Sequence, residues 1–160
     1  MSLNSLNQFN LSFMKSTKNY EVKAVITSKD ENGKDIKKTE QYLVIGAVSC
    51  ADAEYIVMTE KTQLGGFETS IVSSKESNLV LLTQDHEPAV NDLFYKVILL
   101  FAIEGSGDKP KFERISYLIE ASRVKDAITF IEKECPYDET IAVSRSKIVE
   151  VIEAKKVINE

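Results

Sequence analysis

Residues 20–28 alternate between apolar and polar side chains. Tyr20, Val22, Ala24 and Ile26 share one face, with Glu21, Lys23 and Thr27 on the other, which is the pattern of a half-buried strand. Asp30-Glu31-Asn32-Gly33 supplies turn residues, and residues 40–45 return as a second strand. A helix is expected from about Ser49, whose hydroxyl can cap it, and Gly65-Gly66 ends that helical region. Residues 67–73 and 78–83 read as two more strands. The stretch 93–103 is apolar on both faces and is expected at the centre of a sheet, whereas 20–26 is expected nearer an edge. Residues 105–108 form a turn, and 112–121 return as a strand. Ser122 is placed to cap a helix with the one-sided stripe Val124, Ala127, Ile128 and Ile131. Pro136 stops that helix, and 139–144 is the next strand. Residues 146–158 suit a helix or a strand, and their counterpart Leu79-Val80-Leu81 favours a strand at the start.

The pattern occurs twice. Tyr20-Glu21-Val22 and Tyr42-Leu43-Val44 have the same spacing as Tyr95-Lys96-Val97 and Tyr117-Leu118-Ile119. With one residue lost, Ala47 falls on Ala121, Asp52-Ala53 on Asp126-Ala127, Val57 on Ile131 and Glu60 on Glu134. With three more lost, Glu68-Thr69 falls on Glu139-Thr140 and Val72-Ser73 on Val143-Ser144. The expected fold is α+β: an internal duplication of a strand–strand–helix–strand unit, antiparallel sheets with one helix per repeat, related by a pseudo-twofold. Residues 1–18 are expected as a flexible tail and 19–160 as a single domain. Its repeats span about 19–84 and 93–152, joined by a linker at 85–92.

Composition narrows the function classes. With 20 Lys and Arg against 25 Asp and Glu, a surface that binds nucleic acid all over is disfavoured, though a local basic patch is not. Two cysteines and no secretory leader point to a reducing compartment. No apolar stretch is long enough to span a bilayer.

Candidate chemistry is sparse. Cys50 starts a helix but matches the apolar Val124, so it reads as a small hydrophobe rather than a nucleophile. Cys135 has no matching cysteine, and no Cys/His cluster spells a zinc site. His86, the single histidine, lies in a polar linker, where a solvated side chain is expected rather than a catalytic one. Asp52 and Asp126 suit helix starts, and no motif demands a metal or a cofactor. Tyr42 and Tyr117 could stack bases but read better as core residues. Lysines near both hairpin turns are the remaining feature: Lys34, Lys37 and Lys38 in the first, Lys109, Lys111 and Arg114 in the second. They are candidate contacts for a protein partner or a phosphate backbone, diluted by Asp30, Glu31, Asp35, Asp108 and Glu113.

Tyr-x-Val, Glu40-Gln41-Tyr42-Leu43-Val44, Ala53-Glu54, Phe94-Tyr95-Lys96-Val97 and Leu118-Ile119-Glu120-Ala121 carry a resemblance. Over about residues 20–152 the chain resembles a small family, a domain of unknown function of Bacteroidetes and their bacteriophages. That family opens its second half with Trp-Tyr-Lys, where this chain has Phe94-Tyr95-Lys96. The resemblance implies a cytoplasmic bacterial or phage setting, including association with a virion, and carries over no catalytic residue. A non-enzymatic binding or accessory protein is the expected function. The alternatives are a nucleic-acid or nucleotide binder using the two basic hairpins, and a carboxylate and metal enzyme using Glu68 and Glu139.

Overall fold

A computed structural model describes residues 17–83, 92–103 and 109–155. The tail through residue 16, the linker at 84–91 with His86, and the second hairpin turn at 104–108 lie outside them. The chain is mixed α+β and mostly strand. Strands β1 (Lys18–Lys29) and β2 (Asp35–Ala47) precede helix α1 (Cys50–Met58). A π-helical turn (Thr59–Leu64) leads to β3 (Glu68–Ser77) and the short β4 (Leu79–Leu82). Then come β5 (Leu93–Ile103), β6 (Lys111–Ala121), helix α2 (Val124–Glu134), β7 (Glu139–Arg145) and β8 (Ile148–Glu153).

These elements make two four-stranded sheets, ordered β3-β1-β2-β8 and β4-β6-β5-β7. Each has a long antiparallel hairpin at its centre, with Tyr20 opposite Val44 and Tyr95 opposite Ile119. The outer strands β3 and β7 run antiparallel to β1 and β5. Each fourth strand is taken from the other half of the sequence: β4 lies parallel to β6, and β8 lies beside β2. The connection explains this exchange. Asn78 alone separates β3 from β4, and even the tightest common hairpin needs two residues, so β4 cannot fold back on β3.

The chain divides into two compact units, one running through Ser77 and resumed from Glu150, the other from Asn78 to Val149. Each has its own apolar cluster. In the first, Tyr20, Val22, Ala24, Ile26, Tyr42 and Val44 of the sheet meet Ala53, Ile56 and Val57 of α1. In the second, Tyr95, Val97, Leu99 and Ile119 meet Ala127 and Ile131 of α2. Fully burying one side chain such as Ile56 or Ile131 contributes about 1.5–3 kcal/mol. Leu43 and Leu118 are fully buried too, on the faces of β2 and β6 that do not carry the helix.

Three expectations change, and one left open, the stretch 146–158, resolves to the strand favoured at its start. First, β1 is not nearer an edge than β5, since each stands between two strands. The polar residues Glu21 and Lys23 lie on its helix-free face, so their polarity marks a face and not an edge. Second, the capping hydroxyl of α2 is missing. Its N-cap is Arg123, without a side-chain cap, while Ser122 Oγ donates to Asp92 Oδ1 at 2.8 Å. In α1 the expected cap is present: Ser49 Oγ accepts from the Asp52 N–H at 3.0 Å, and the Asp52 carboxylate accepts from the Val48 N–H. Within 146–158, β8 is a strand, and helical geometry begins only at residue 154. Third, Glu68 and Glu139 are not at matching places. Glu68 stands opposite Thr27, whereas Glu139 stands opposite Leu100, the position taken by Ser70 opposite Val25 in the first sheet.

Candidate functional site

The basic hairpin residues are exposed, and each hairpin divides its cations between two faces. Lys38, opposite Ile26, is on the helix-bearing face of the first sheet, while Lys37, opposite Thr27, is on the other. Lys111, opposite Ile103, and Arg114, opposite Leu100, divide in the same way. Phe112 and Glu113 stand where the first hairpin has Lys37 and Lys38. Lys34 follows a turn organised by Asp30, whose Oδ1 accepts from the N–H groups of Asn32 and Lys34 at 2.8 and 2.9 Å. Gly33 in that turn has φ +79°, which favours glycine. Lys109 precedes β6 and is exposed.

A different polar feature is built on the helix-free face of the first sheet. Here the outer strand carries a bulge: Lys23 stands opposite Ser73 and Ala24 opposite Ile71, leaving Val72 without a partner. Beside it is a depression of about 230 Å³, lined by Glu21, Val22, Lys23, Gln41, Ser73, Ser74 and Lys75. The lining offers two ammonium groups, an amide and the Ser73 hydroxyl against one carboxylate, while Ser74, opposite Val22, belongs to the helix-bearing face. The volume of the depression is below the roughly 300 Å³ at which pockets for drug-sized ligands begin. Its excess of ammonium and other hydrogen-bonding groups suits an anionic group. Period-two alternation placed Glu21 and Lys23 on one face. Ser73 and Lys75 join them only because the bulge shifts the parity of β3.

On the opposite face, a polar group surrounds Tyr42. Its hydroxyl donates to Glu40, and Lys61 lies over its ring, 4.9 Å from the centroid. Lys61 also forms an ion pair with Glu150 of β8. Burial holds the Tyr42 hydroxyl far above the usual tyrosine value, and Glu40 and Glu150 push it the same way. The π-helical turn positions Lys61. Gly65 N–H reaches back to the Glu60 carbonyl at 2.9 Å, and a Cβ on Gly65 would lie 2.9 Å from the Lys61 carbonyl. Sequence reasoning missed Lys61 and Glu150, which are 89 residues apart with no local pattern joining them.

The remaining candidates are structural. Tyr42 is fully buried beneath α1 rather than displayed for stacking. Cys50 packs against the first core. Burial raises the Cys135 thiol above its usual value, and Asp138 and Glu134 add to the shift, which disfavours the thiolate. Asp126 sits in the first turn of α2, 3.5 Å from Arg123 Nε. Glu68 and Glu139 belong to different units, and among the described residues no three His, Cys, Asp or Glu side chains are grouped to hold a metal ion. Among the described residues no helix is long and apolar enough to cross a membrane.

Fold and site together describe an α+β protein of two exchanged four-stranded sheets, with a polar depression on one of them. Its residues 18–154 match the model of the Domain of unknown function (DUF4494), and the chain belongs to that family. No match to the chain was found among curated proteins or among solved structures.

Proposed function

We propose that the chain is a non-enzymatic binding protein that engages an acidic segment of a protein partner, in a bacteriophage or Bacteroidetes setting. The observation that carries this is the depression between Lys23 and Lys75. Ammonium, amide and hydroxyl donors gathered on one face fit a carboxylate presented by another chain. The scaffold we attribute to duplication of one unit. Its support is register: the central hairpins correspond at a displacement of 75 positions, and the bulges fall between Lys23 and Ala24 and between Ile98 and Leu99, at that same displacement. On this reading the second copy has lost the site, because Ile98 and Ala142 stand where the first has Lys23 and Ser73.

Calorimetric titration with a glutamate-rich peptide tests the reading. The peptide should bind, and Lys23→Gln should weaken binding about tenfold, the scale of one lost hydrogen bond to a charged group. Equal binding of a lysine-rich control would remove the acidic-partner reading. Tighter binding of a single-stranded oligonucleotide, falling steeply with salt, would replace it by the nucleic-acid alternative.

A further inference from the structure

The outer edge of β3 matches an antiparallel copy of itself. Among the described residues β3 pairs on one side only, with β1, and it ends its sheet. Its residues read Glu68-Thr69-Ser70-Ile71-Val72-Ser73-Ser74-Lys75 before Glu76-Ser77. Laid antiparallel on an identical strand, Glu68 comes opposite Lys75, Thr69 opposite Ser74 and Ser70 opposite Ser73. Ile71 and Val72 then meet at the centre.

Opposed residues must also project from the same sheet face, and in a regular strand positions 68 and 75 would not. The bulge at Val72 corrects this. Glu68 stands opposite Thr27 and Lys75 opposite Glu21, and those two β1 residues are on the same helix-free face. Glu68, Val72 and Lys75 are all exposed, Val72 at 56 %. The other outer strand makes a useful control. Glu139 and Arg145 of β7 would also come opposite each other in a self-pairing. However, Glu139 stands opposite Leu100 and Arg145 opposite Tyr95, on opposite faces of that sheet.

We propose that two copies of the chain associate through β3, antiparallel, with two Glu68–Lys75 pairs flanking an Ile71–Val72 centre. A charged edge ordinarily deters pairing with a foreign strand, and here the same charges select an identical one. The proposal goes beyond the ligand reading and does not rest on it: Lys75 lines the depression, but Glu68 does not, so Glu68→Lys tests the dimer separately.

Sedimentation equilibrium of the full chain tests it. The protein should show a reversible monomer–dimer equilibrium. Glu68→Lys and Lys75→Glu alone should each weaken the dimer about tenfold, from two symmetry-related cross-strand repulsions. The exchanged pair Glu68→Lys/Lys75→Glu should restore it. A wild-type protein that stays monomeric at the highest soluble concentration would overturn the proposal. So would a dimer that the single reversals leave unchanged, or one that the exchange does not rescue while the melting temperature stays at the wild-type value. Loss of dimer in Glu68→Lys with peptide binding retained separates this proposal from the preceding one.

Discussion

Tyr42 and Tyr117 occupy matching places in the two central hairpins, opposite Val22 and Val97, yet their surroundings differ in kind. Around Tyr42 stand Glu40, Lys61 and Glu150. Around Tyr117 stand Cys135 and Asp138, both of which act on its hydroxyl. Tyr42 is fully buried, and Tyr117 is only half-buried. The same strand–strand–helix frame thus accepts different polar surroundings at this point. The difference follows from the end of the helix. In the first unit the π-helical turn carries a lysine to the tyrosine, whereas in the second the helix stops at Cys135 before Pro136.

The comparison can be broken most severely by removing the rings. Tyr42→Ala should destabilise the protein by about 3–5 kcal/mol in urea unfolding, as for other large buried aromatics, and Tyr117→Ala by roughly half of that. Equal losses would mean that the polar surroundings of Tyr42 add no stability of their own.

Alkali should sharpen the contrast. The folded state raises Tyr42 above its ordinary 10.0, so it holds the phenolic proton more tightly than the unfolded chain does. The resulting stability is fully present below pH about 10 and is lost as pH climbs toward the folded-state value. Burial raises Tyr117 as well, with Cys135 and Asp138 adding to it. In tyrosinate absorbance both should ionise late, and Tyr42→Phe should remove more of the alkaline loss of stability than Tyr117→Phe. The opposite ranking would show that burial, with Glu40 and Glu150, does not hold the proton more tightly at Tyr42 than at Tyr117.

The smallest effect concerns the helix starts. Ser49→Ala should cost about 1 kcal/mol, because it leaves the Asp52 N–H without its cap. Ser122→Ala should stay within about 0.5 kcal/mol, because its hydroxyl reaches an exposed Asp92 and caps nothing. Thermal melts of the two variants compare them directly.

Much of the architecture was legible because the relevant forces are local and periodic. Alternation located β1, a run apolar on both faces located β5, the turn and return located β6, and the stripe Val124, Ala127, Ile128 and Ile131 located α2. Even the spacing of the central hairpins could be read, since tyrosines mark the same register in both. The outer strands were misaligned by two residues between the halves, because Glu68-Thr69 and Glu139-Thr140 match as residue types while each strand's register is set by its partner across the sheet. Ser122 was chosen as a cap on residue type alone, although capping depends on the backbone geometry of one position.

By itself, then, the sequence determined most of the strands and helices and which of their faces are apolar. Those properties depend on side-chain period and on turn residues a few positions apart. The tertiary structure alone decided the exchange of β4 and β8, the ion pair of Lys61 with Glu150, and the gathering of Lys23, Gln41, Ser73 and Lys75 around one depression. These depend on strand partners and bulge parity, through which residues tens of positions apart are brought to one face of a sheet.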